Sequence, residues 1–423
     1  MMILQIPSVI YVLLTLRLVC DSSAFHVSQV DVIPRRRVPS RRMGTAYDII
    51  VNALSSSRRI SISIHGMAPS TENDIKTLLT NNPRVETKQI QLSQVSAEIM
   101  TCKPTNPNPF SKSKTSKKQP LLFIHGSFHS SWCWAEHFMP YFASLGFPCY
   151  ALSLRGTGGT FAGEGVRKVR IEDHVHDLTD CIQYIQEYES DSIGSTDLNS
   201  VKPVLIAHSF GGITIMKYLE KYLLPRLDSN TSSSVNLPIS GVVSICCLPP
   251  SGNGKMTIRF LKRSLKDSWK VTAGLAMKKC ITDGQLCREL FFDEDSAKVD
   301  GITNDDLTRI QERFEMDTIA TIDLVDLAKQ LPSIHTDKDG KAKFLEDNST
   351  SSTSLPSLVL GAKDDFIVDR EGVLELAKYY GVEAVMVSSP HDAMLGFRWR
   401  NAADKVKAFL DAEIGNHYNL TEL

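Results

Sequence analysis

The sequence predicts an α/β fold: a mostly parallel central sheet with helices on both faces and an inserted helical cap. Three observations predict it. Short runs, apolar at 121–124 and 204–207 and apolar but for Ser244 at 242–248, alternate with stretches of helical periodicity. Such runs suit strands buried on both faces, the condition of a parallel sheet, better than the in-out alternation of a half-solvated one. The alternation is interrupted between 249 and 355, where helical character replaces it, and it resumes with the apolar runs at 358–360 and 385–387. Finally, the run at 204–207 ends in His208-Ser209-Phe210-Gly211-Gly212, after which Ile215, Met216, Leu219 and Leu223 recur at helical spacing. That is a strand, a sharp turn and a helix, with a serine on the turn.

In chain order, residues 1–70 are expected to be a targeting presequence or a disordered N-terminal segment. The apolar stretch from Ile3 to Cys20, broken by Gln5, Pro7 and Arg17, is too interrupted for a membrane span and reads as a signal-peptide core. The following segment carries seven arginines and many serines, with only Asp31 and Asp48 as acids before Glu72. Arg-rich, Ser-rich and acid-poor is transit-peptide composition. Together the two parts resemble the bipartite presequences of algae with secondary plastids, with Ser23-Ala24-Phe25 at the join. The resemblance implies a plastid protein that travels through the secretory route; the alternative is a secreted or endomembrane protein.

The folded chain is expected to divide into a first core part at 85–248, the helical insertion at 249–355 and a second core part at 356–415. Residues 85–102 read as a strand pair, and 111–118 as a basic, solvated loop with no function of its own. A strand at 121–124 leads to a helix over 132–145. The strand at 149–154 leads through Arg155-Gly156-Thr157-Gly158-Gly159 to a helix over 171–188. Ala402, Val406, Phe409 and Leu410 mark a terminal amphipathic helix. The nine cysteines show no metal-type spacing and read as reduced core residues, a Cys280–Cys287 bridge remaining open. A net charge of −1 gives no field for nucleic acid, and 42% apolar content is ordinary for a globular chain.

Ala207-His208-Ser209-Phe210-Gly211 follows the nucleophile-elbow pattern G-x-S-x-G, with Ala207 at the first glycine. The turn exposes the hydroxyl, and the start of the next helix directs the Phe210 N–H and a positive dipole end toward it. A serine is a poor nucleophile until a base takes its proton, and the base needs an acid to fix its tautomer. Downstream, Asp364-Asp365 stand just past one buried strand and His391 just past the last.

These motifs, with Leu122-Phe123-Ile124-His125-Gly126-Ser127, resemble the α/β-hydrolase superfamily across residues 85–410, in the order Ser, acid, His. The run from His125 to Trp134 is also similar to the plant methylesterase and hydroxynitrile lyase branch, which lacks the insertion and presequence seen here. The resemblance implies Ser209 as nucleophile, His391 as base and one of Asp364 or Asp365 as the acid. Counting forward from Gly361 favours Asp364 and counting back from Ile367-Val368 favours Asp365; Asp365 is preferred. The backbone N–H groups of Ser127 and Phe210 are expected to hold the oxyanion, each worth about 3–4 kcal/mol in comparable hydrolases. His208 and Phe128 are expected beside the substrate, and His125 to organise the oxyanion loop.

The expected activity is hydrolysis of a carboxylic ester, including a lipid ester, with no metal or organic cofactor. Acyl transfer, hydroxynitrile-lyase chemistry or a non-catalytic ligand-binding role on the same fold are the alternatives. Residues 255–279 carry eight Lys/Arg against Asp267, with Ile258, Leu261, Leu265 and Trp269 at three- and four-residue steps. Such a basic amphipathic helix fits a peripheral membrane contact, or else packs its apolar side down over the pocket.

Overall fold

Why the apolar runs become a sheet is visible in their burial. The computed structural model describes residues 83–105, 118–227, 237–293, 302–345 and 355–415. Residues 1–70, where a presequence is expected, the basic run at 111–117, the Ser/Thr-rich stretch at 348–354 and the N-x-S/T sites at Asn230, Asn348 and Asn419 lie outside these residues.

Strands β1 (Val85–Gln91) and β2 (Ser96–Cys102) form the antiparallel pair that opens the domain. Then follow β3 (Leu121–Ile124), β4 (Cys149–Leu152), β5 (Lys168–Val169), β6 (Val204–His208), β7 (Gly241–Ile245), β8 (Thr321–Ile322), β9 (Ser357–Ala362) and β10 (Ala384–Val387). Eight of them make one sheet in the order β1-β2-β4-β3-β6-β7-β9-β10. From β4 to β10 the pairing is parallel throughout. Every residue of β3, β4, β6 and β7 is buried. Because successive side chains point to opposite faces, complete burial means that both faces are covered. Each fully buried Leu, Ile, Val or Phe contributes roughly 1.5–3 kcal/mol over exposure.

The helices are α1 (Trp132–Ala135), α2 (Phe138–Ser144), α3 (Ile171–Ile193), α4 (Gly211–Leu227), α5 (Gly254–Arg263), α6 (Leu265–Val271), α7 (Gly284–Phe291), α8 (Asn304–Met316), α9 (Leu324–Ala328), α10 (Arg370–Tyr380) and α11 (Trp399–Phe409). The helix expected over 132–145 is two helices instead. In a continuous one, Pro140 would have no N–H for the Glu136 carbonyl and its ring would press on that carbonyl. The chain restarts at Phe138 and leaves Pro140 in a first turn, where no donor is missed. The strand expected over 242–248 ends at Ile245, because Cys246 takes φ +49° and the Leu248 N–H turns back to the Ser209 carbonyl (3.2 Å).

Between β7 and β9 lie α5 to α9. The short parallel pair β5–β8 joins this insertion to the segment after β4. The apolar stripe on α5 and α6 points outward: Leu265 is 76% exposed, with Ile258, Leu261 and Trp269 also exposed. Arg259 turns back to Asp369 (2.6 Å) and Arg263 to Glu371 (2.6 Å), tying α5 to the body of the domain. No helix among the described residues is long and apolar enough to cross a membrane. All eight described cysteines are buried and free, Cys280 and Cys287 among them.

Candidate active site

Parallel pairing puts the carboxyl ends of β3, β6, β9 and β10 at one edge of the sheet, where open α/β sheets place their sites. Ile124 is paired with Ala207, and Val387 with Ala362. Ser127, Phe128, Ser209, Phe210, Asp365 and His391 therefore fall on loops at this edge, and His208 closes β6 there.

Ser209 follows β6 directly and holds φ +50°, in the left-handed region that costs a non-glycine residue about 1–3 kcal/mol. The conformation persists because its surroundings fix it. The Ser209 N–H donates to the Ile245 carbonyl (3.2 Å), and its own carbonyl accepts from Gly212 (3.1 Å) and Leu248. Helix α4 begins two residues later, so the Phe210 N–H and the helix N-terminus lie beside the serine. Close approach explains the small residues. A Cβ on Gly211 would stand 2.7 Å from the Ile124 carbonyl oxygen, and one on Gly126 would stand 2.7 Å from the Ser209 Cβ. The second figure shows how tightly the loop after β3 lies against the serine. Ala207 needs no such room: it is a paired, wholly buried residue of β6.

His391 follows β10, and its Nδ1 is 2.9 Å from Oδ2 and 3.0 Å from Oδ1 of Asp365. Both side chains are almost wholly buried. Oδ1 of Asp365 also accepts the Ile367 and Val368 N–H groups, each at 2.8 Å, which orient the carboxylate. Asp364 faces away and pairs with Arg398 at 2.6 Å. Of the two acids, Asp365 is the one in contact with His391. Cys246 packs against that carboxylate; burial and then the Asp365 charge push its thiol far above the usual range, so it stays protonated.

The loop after β3 is held by two histidines. His125 donates from Nδ1 to the Gly126 carbonyl (2.7 Å) while its Nε2 accepts from the Leu154 N–H (2.9 Å). Burial lowers its pKa to about 3, so the ring is neutral, as that pattern requires. Gly126 C=O and Ser127 N–H belong to one peptide unit, so pinning the carbonyl aims the N–H. His129 bonds the next carbonyl, that of Ser127, from Nδ1 at 2.9 Å. Between them Phe128 takes φ +69°.

His208, expected beside the substrate, is wholly buried under the base. Its Nε2 donates to the His391 carbonyl at 3.0 Å, and the two rings lie 4.7 Å apart. Phe128 meets two phenylalanines of the insertion, Phe291 on α7 at 6.1 Å and Phe314 on α8 at 5.7 Å between ring centres. Phe291 also reaches the His391 ring at 6.1 Å. An aromatic cluster thus borders His391, and Ser209 is only 8% exposed. The Arg155–Gly159 turn links the sheet to the insertion: the Gly158 N–H donates to Asp317 at 2.7 Å, and Arg155 grips Asp177 at 2.6 Å. His174 and His176 diverge, His174 lying buried against Phe210 and His176 half-exposed near Asp180.

Sequence reasoning missed Asp392, Phe291, Phe314 and the pairing of His129 with Asp392 (Nε2 to Oδ2, 3.0 Å). His129, His208 and Asp392 converge in one buried group, and Cys246, Asp365 and His391 in another; within each the donor atoms lie within 4.8 Å. In the first group His129 bonds Asp392 while His208 turns to the His391 carbonyl, and in the second His391 bonds Asp365. Adjacency of Asp392 to His391 was the one signal in the sequence.

A model of the Alpha/beta hydrolase family matches residues 121–403. Methylesterase 2 and Methylesterase 1 of Arabidopsis thaliana are each 29% identical over 110 residues, 26% of this chain. The match spans 37% of the length of either relative. A membrane phospholipase A, described as a bacterial virulence factor, superposes with a TM-score of 0.51 at 14% identity, covering 80% of this chain and 90% of its own. At that identity the likeness bears on the fold alone.

Proposed function

The chain belongs to the alpha/beta hydrolase family, and from that premise we propose that it is a serine hydrolase cleaving carboxylic esters through an acyl-enzyme. The observation that carries the reading is the Asp365–His391 contact of 2.9 Å at the strand edge that also bears Ser209 at φ +50°. Ser209 Oγ attacks the ester carbonyl and its proton passes to His391 Nε2. Asp365 keeps the other ring proton on Nδ1 and balances the imidazolium. The Ser127 and Phe210 N–H groups take the charge that develops on the carbonyl oxygen. His391 then protonates the leaving alcohol, and water releases the acyl group by the same steps in reverse order. The similarity to the methylesterases supports an ester substrate, and the Phe128–Phe291–Phe314 wall supports an apolar acyl or alcohol group. A fluorophosphonate probe should label the wild type and leave Ser209→Ala unlabelled; equal labelling of the two rejects the reading. Esters of graded acyl length then define the substrate.

The outward stripe of α5 and α6 supports peripheral contact with an anionic lipid surface, and with it a lipid ester. Lys262 and Lys266 are exposed beside Leu261 and Leu265, the pairing of apolar and basic groups that interfacial helices use. Wild type should float with phosphatidylserine vesicles at low salt, and Leu265→Ser/Trp269→Ser should stay at the bottom of the gradient. Wild type should float less as salt rises, and Lys262→Gln/Lys266→Gln should float less than wild type already at low salt, with a weaker dependence on salt. Failure of the wild type to float removes the membrane from the proposal and leaves a soluble ester.

A further inference from the structure

We propose that His129 and Asp392 are a positioning pair: one protonated, hydrogen-bonded unit that fixes the oxyanion loop relative to the loop of the base. The proposal rests on the serine-hydrolase reading. It begins from a proton count. The His129 ring is wholly buried, with Nδ1 at 2.9 Å from the Ser127 carbonyl and Nε2 at 3.0 Å from Asp392 Oδ2. A carbonyl oxygen only accepts, so Nδ1 carries a proton; the Nε2–Oδ2 contact needs a second one between ring and carboxyl, and because the Asp392 contact raises the ring's proton affinity that proton sits on Nε2. The ring is an imidazolium and its counter-charge is Asp392. Such a pair withstands burial because each charge is bonded to the other.

The surroundings leave Asp392 as the acid in bonding contact. Phe314 meets the His129 ring edge-on at 4.8 Å between centres, Trp132 stacks at 5.5 Å and Phe291 approaches at 6.0 Å. Asp317, the second acid nearby, gives Oδ2 to the Trp132 indole N–H (2.8 Å) and Oδ1 to Gly158. His208 stands 5.7 Å away; burial, and then repulsion from His391 and His129, hold its pKa far below the usual value, so it adds no charge. His125 is neutral, as described, and the Cys133 thiol is pushed far up by burial and the nearby acids.

Two consequences join the pair to catalysis. The His129–Ser127 bond closes over Phe128, whose φ of +69° an L residue holds only under constraint. Without the bond Phe128 relaxes, and the Ser127 peptide turns with it. At the other end, Asp392 is the residue after His391 and its N–H is tied to the Phe291 carbonyl at 3.1 Å. The carboxylate that charges His129 thereby anchors the backbone that carries the base.

The pair also has a pH signature. Burial by itself lowers the His129 pKa, but the Asp392 charge, its hydrogen bond and the Ser127 carbonyl outweigh that and raise it. Because the folded value lies above the unfolded one, the stabilisation is complete below the unfolded pKa and is lost as pH climbs through the folded value. The pair therefore gives the activity profile a descending alkaline limb.

The test uses the full chain. In the wild type at neutral pH, ring-nitrogen NMR should show both His129 nitrogens protonated, the signals being assigned by their loss in His129→Gln. Asp392→Asn keeps the shape and removes the charge. It should lower kcat about 10- to 100-fold, leave KM within about threefold, and move the alkaline limb to lower pH. Asp392→Asn/His129→Gln should be no slower than the slower single variant, as for two members of one unit. A neutral His129 ring, an unchanged kcat, a loss confined to KM or multiplying losses would each overturn the proposal. Should Asp392→Asn fail to fold, the wild-type ring signals and alkaline limb decide it. Should the wild type neither hydrolyse esters nor label at Ser209, the hydrolase reading is what fails. The ring signals and the alkaline loss of thermal stability then judge the pair alone.

Discussion

Replacing Ser209 by Ala is expected to lower kcat for ester hydrolysis by about six orders of magnitude, the scale seen when a triad nucleophile is removed from a comparable serine hydrolase. The size follows from what the hydroxyl does. In the proposed mechanism it forms the bond to the acyl carbon, and the Cys246 thiol, buried and held protonated behind Asp365, does not replace it. The substitution removes one oxygen and leaves the left-handed turn, the Ile245 and Gly212 hydrogen bonds and the start of α4 in place. Thermal unfolding should therefore shift by less than about 1 kcal/mol. His391→Ala should cost about as much, and Ser209→Ala/His391→Ala little more than either alone, because nucleophile and base act as one unit. Steady-state kinetics on a short 4-nitrophenyl ester, with a melting curve for each variant, make the check. A folded Ser209→Ala with more than about one-tenth of wild-type kcat would remove the mechanism.

What the sequence showed of this site, and what it hid, divides along the range of the forces involved. Ser209, Asp365 and His391 each stand at the end of an apolar run, and the turn chemistry around them is local. Small residues must flank a serine squeezed against the β3 loop, and an acid must sit where Ile367 and Val368 can donate to it. Local rules are written in local sequence. His129 and Asp392 are 263 residues apart, and nothing in the neighbourhood of either announces the other. The aromatic wall had the same difficulty: Phe291 and Phe314 belong to amphipathic helices whose apolar faces are legible, while the partner of each face is decided by tertiary packing.

The stripe on α5 and α6 shows the limit most clearly. Its period gives an apolar side but not a direction, and a stripe packed down over the pocket was the reading that burial alone would favour. In the structure Arg259 and Arg263 bond Asp369 and Glu371 on the body of the domain, while Leu265 and Trp269 stand in solvent with Lys262 and Lys266. The break at Pro140 was legible in principle, because the clash with the Glu136 carbonyl needs only the ring and the helix period. Periodicity outweighed it in the reading of 132–145 as one helix.

The neighbouring acids 364 and 365 give the sharpest contrast available from single-atom changes. Asp365→Asn is expected to lower kcat about 10⁴-fold, and Asp364→Asn less than about threefold. In Asp365→Asn one oxygen remains to accept the Ile367 and Val368 N–H groups, so the loop keeps its shape. The amide nitrogen then faces His391 Nδ1, where the carboxylate lay at 2.9 Å. Two donors cannot share that contact, so Nδ1 becomes the acceptor and the ring proton moves to Nε2. In the proposed mechanism Nε2 takes the Ser209 proton, and in this variant it no longer has a lone pair to do so. The loss thus falls on kcat, with folding and KM nearly unchanged. Asp364 offers only its bond to Arg398, at a side chain 37% exposed, and an ion pair so open to solvent is worth about 0–1 kcal/mol. Kinetics of the two variants on the same ester, read as a ratio, check this. A ratio near one, or reversed, would take the orienting role away from Asp365.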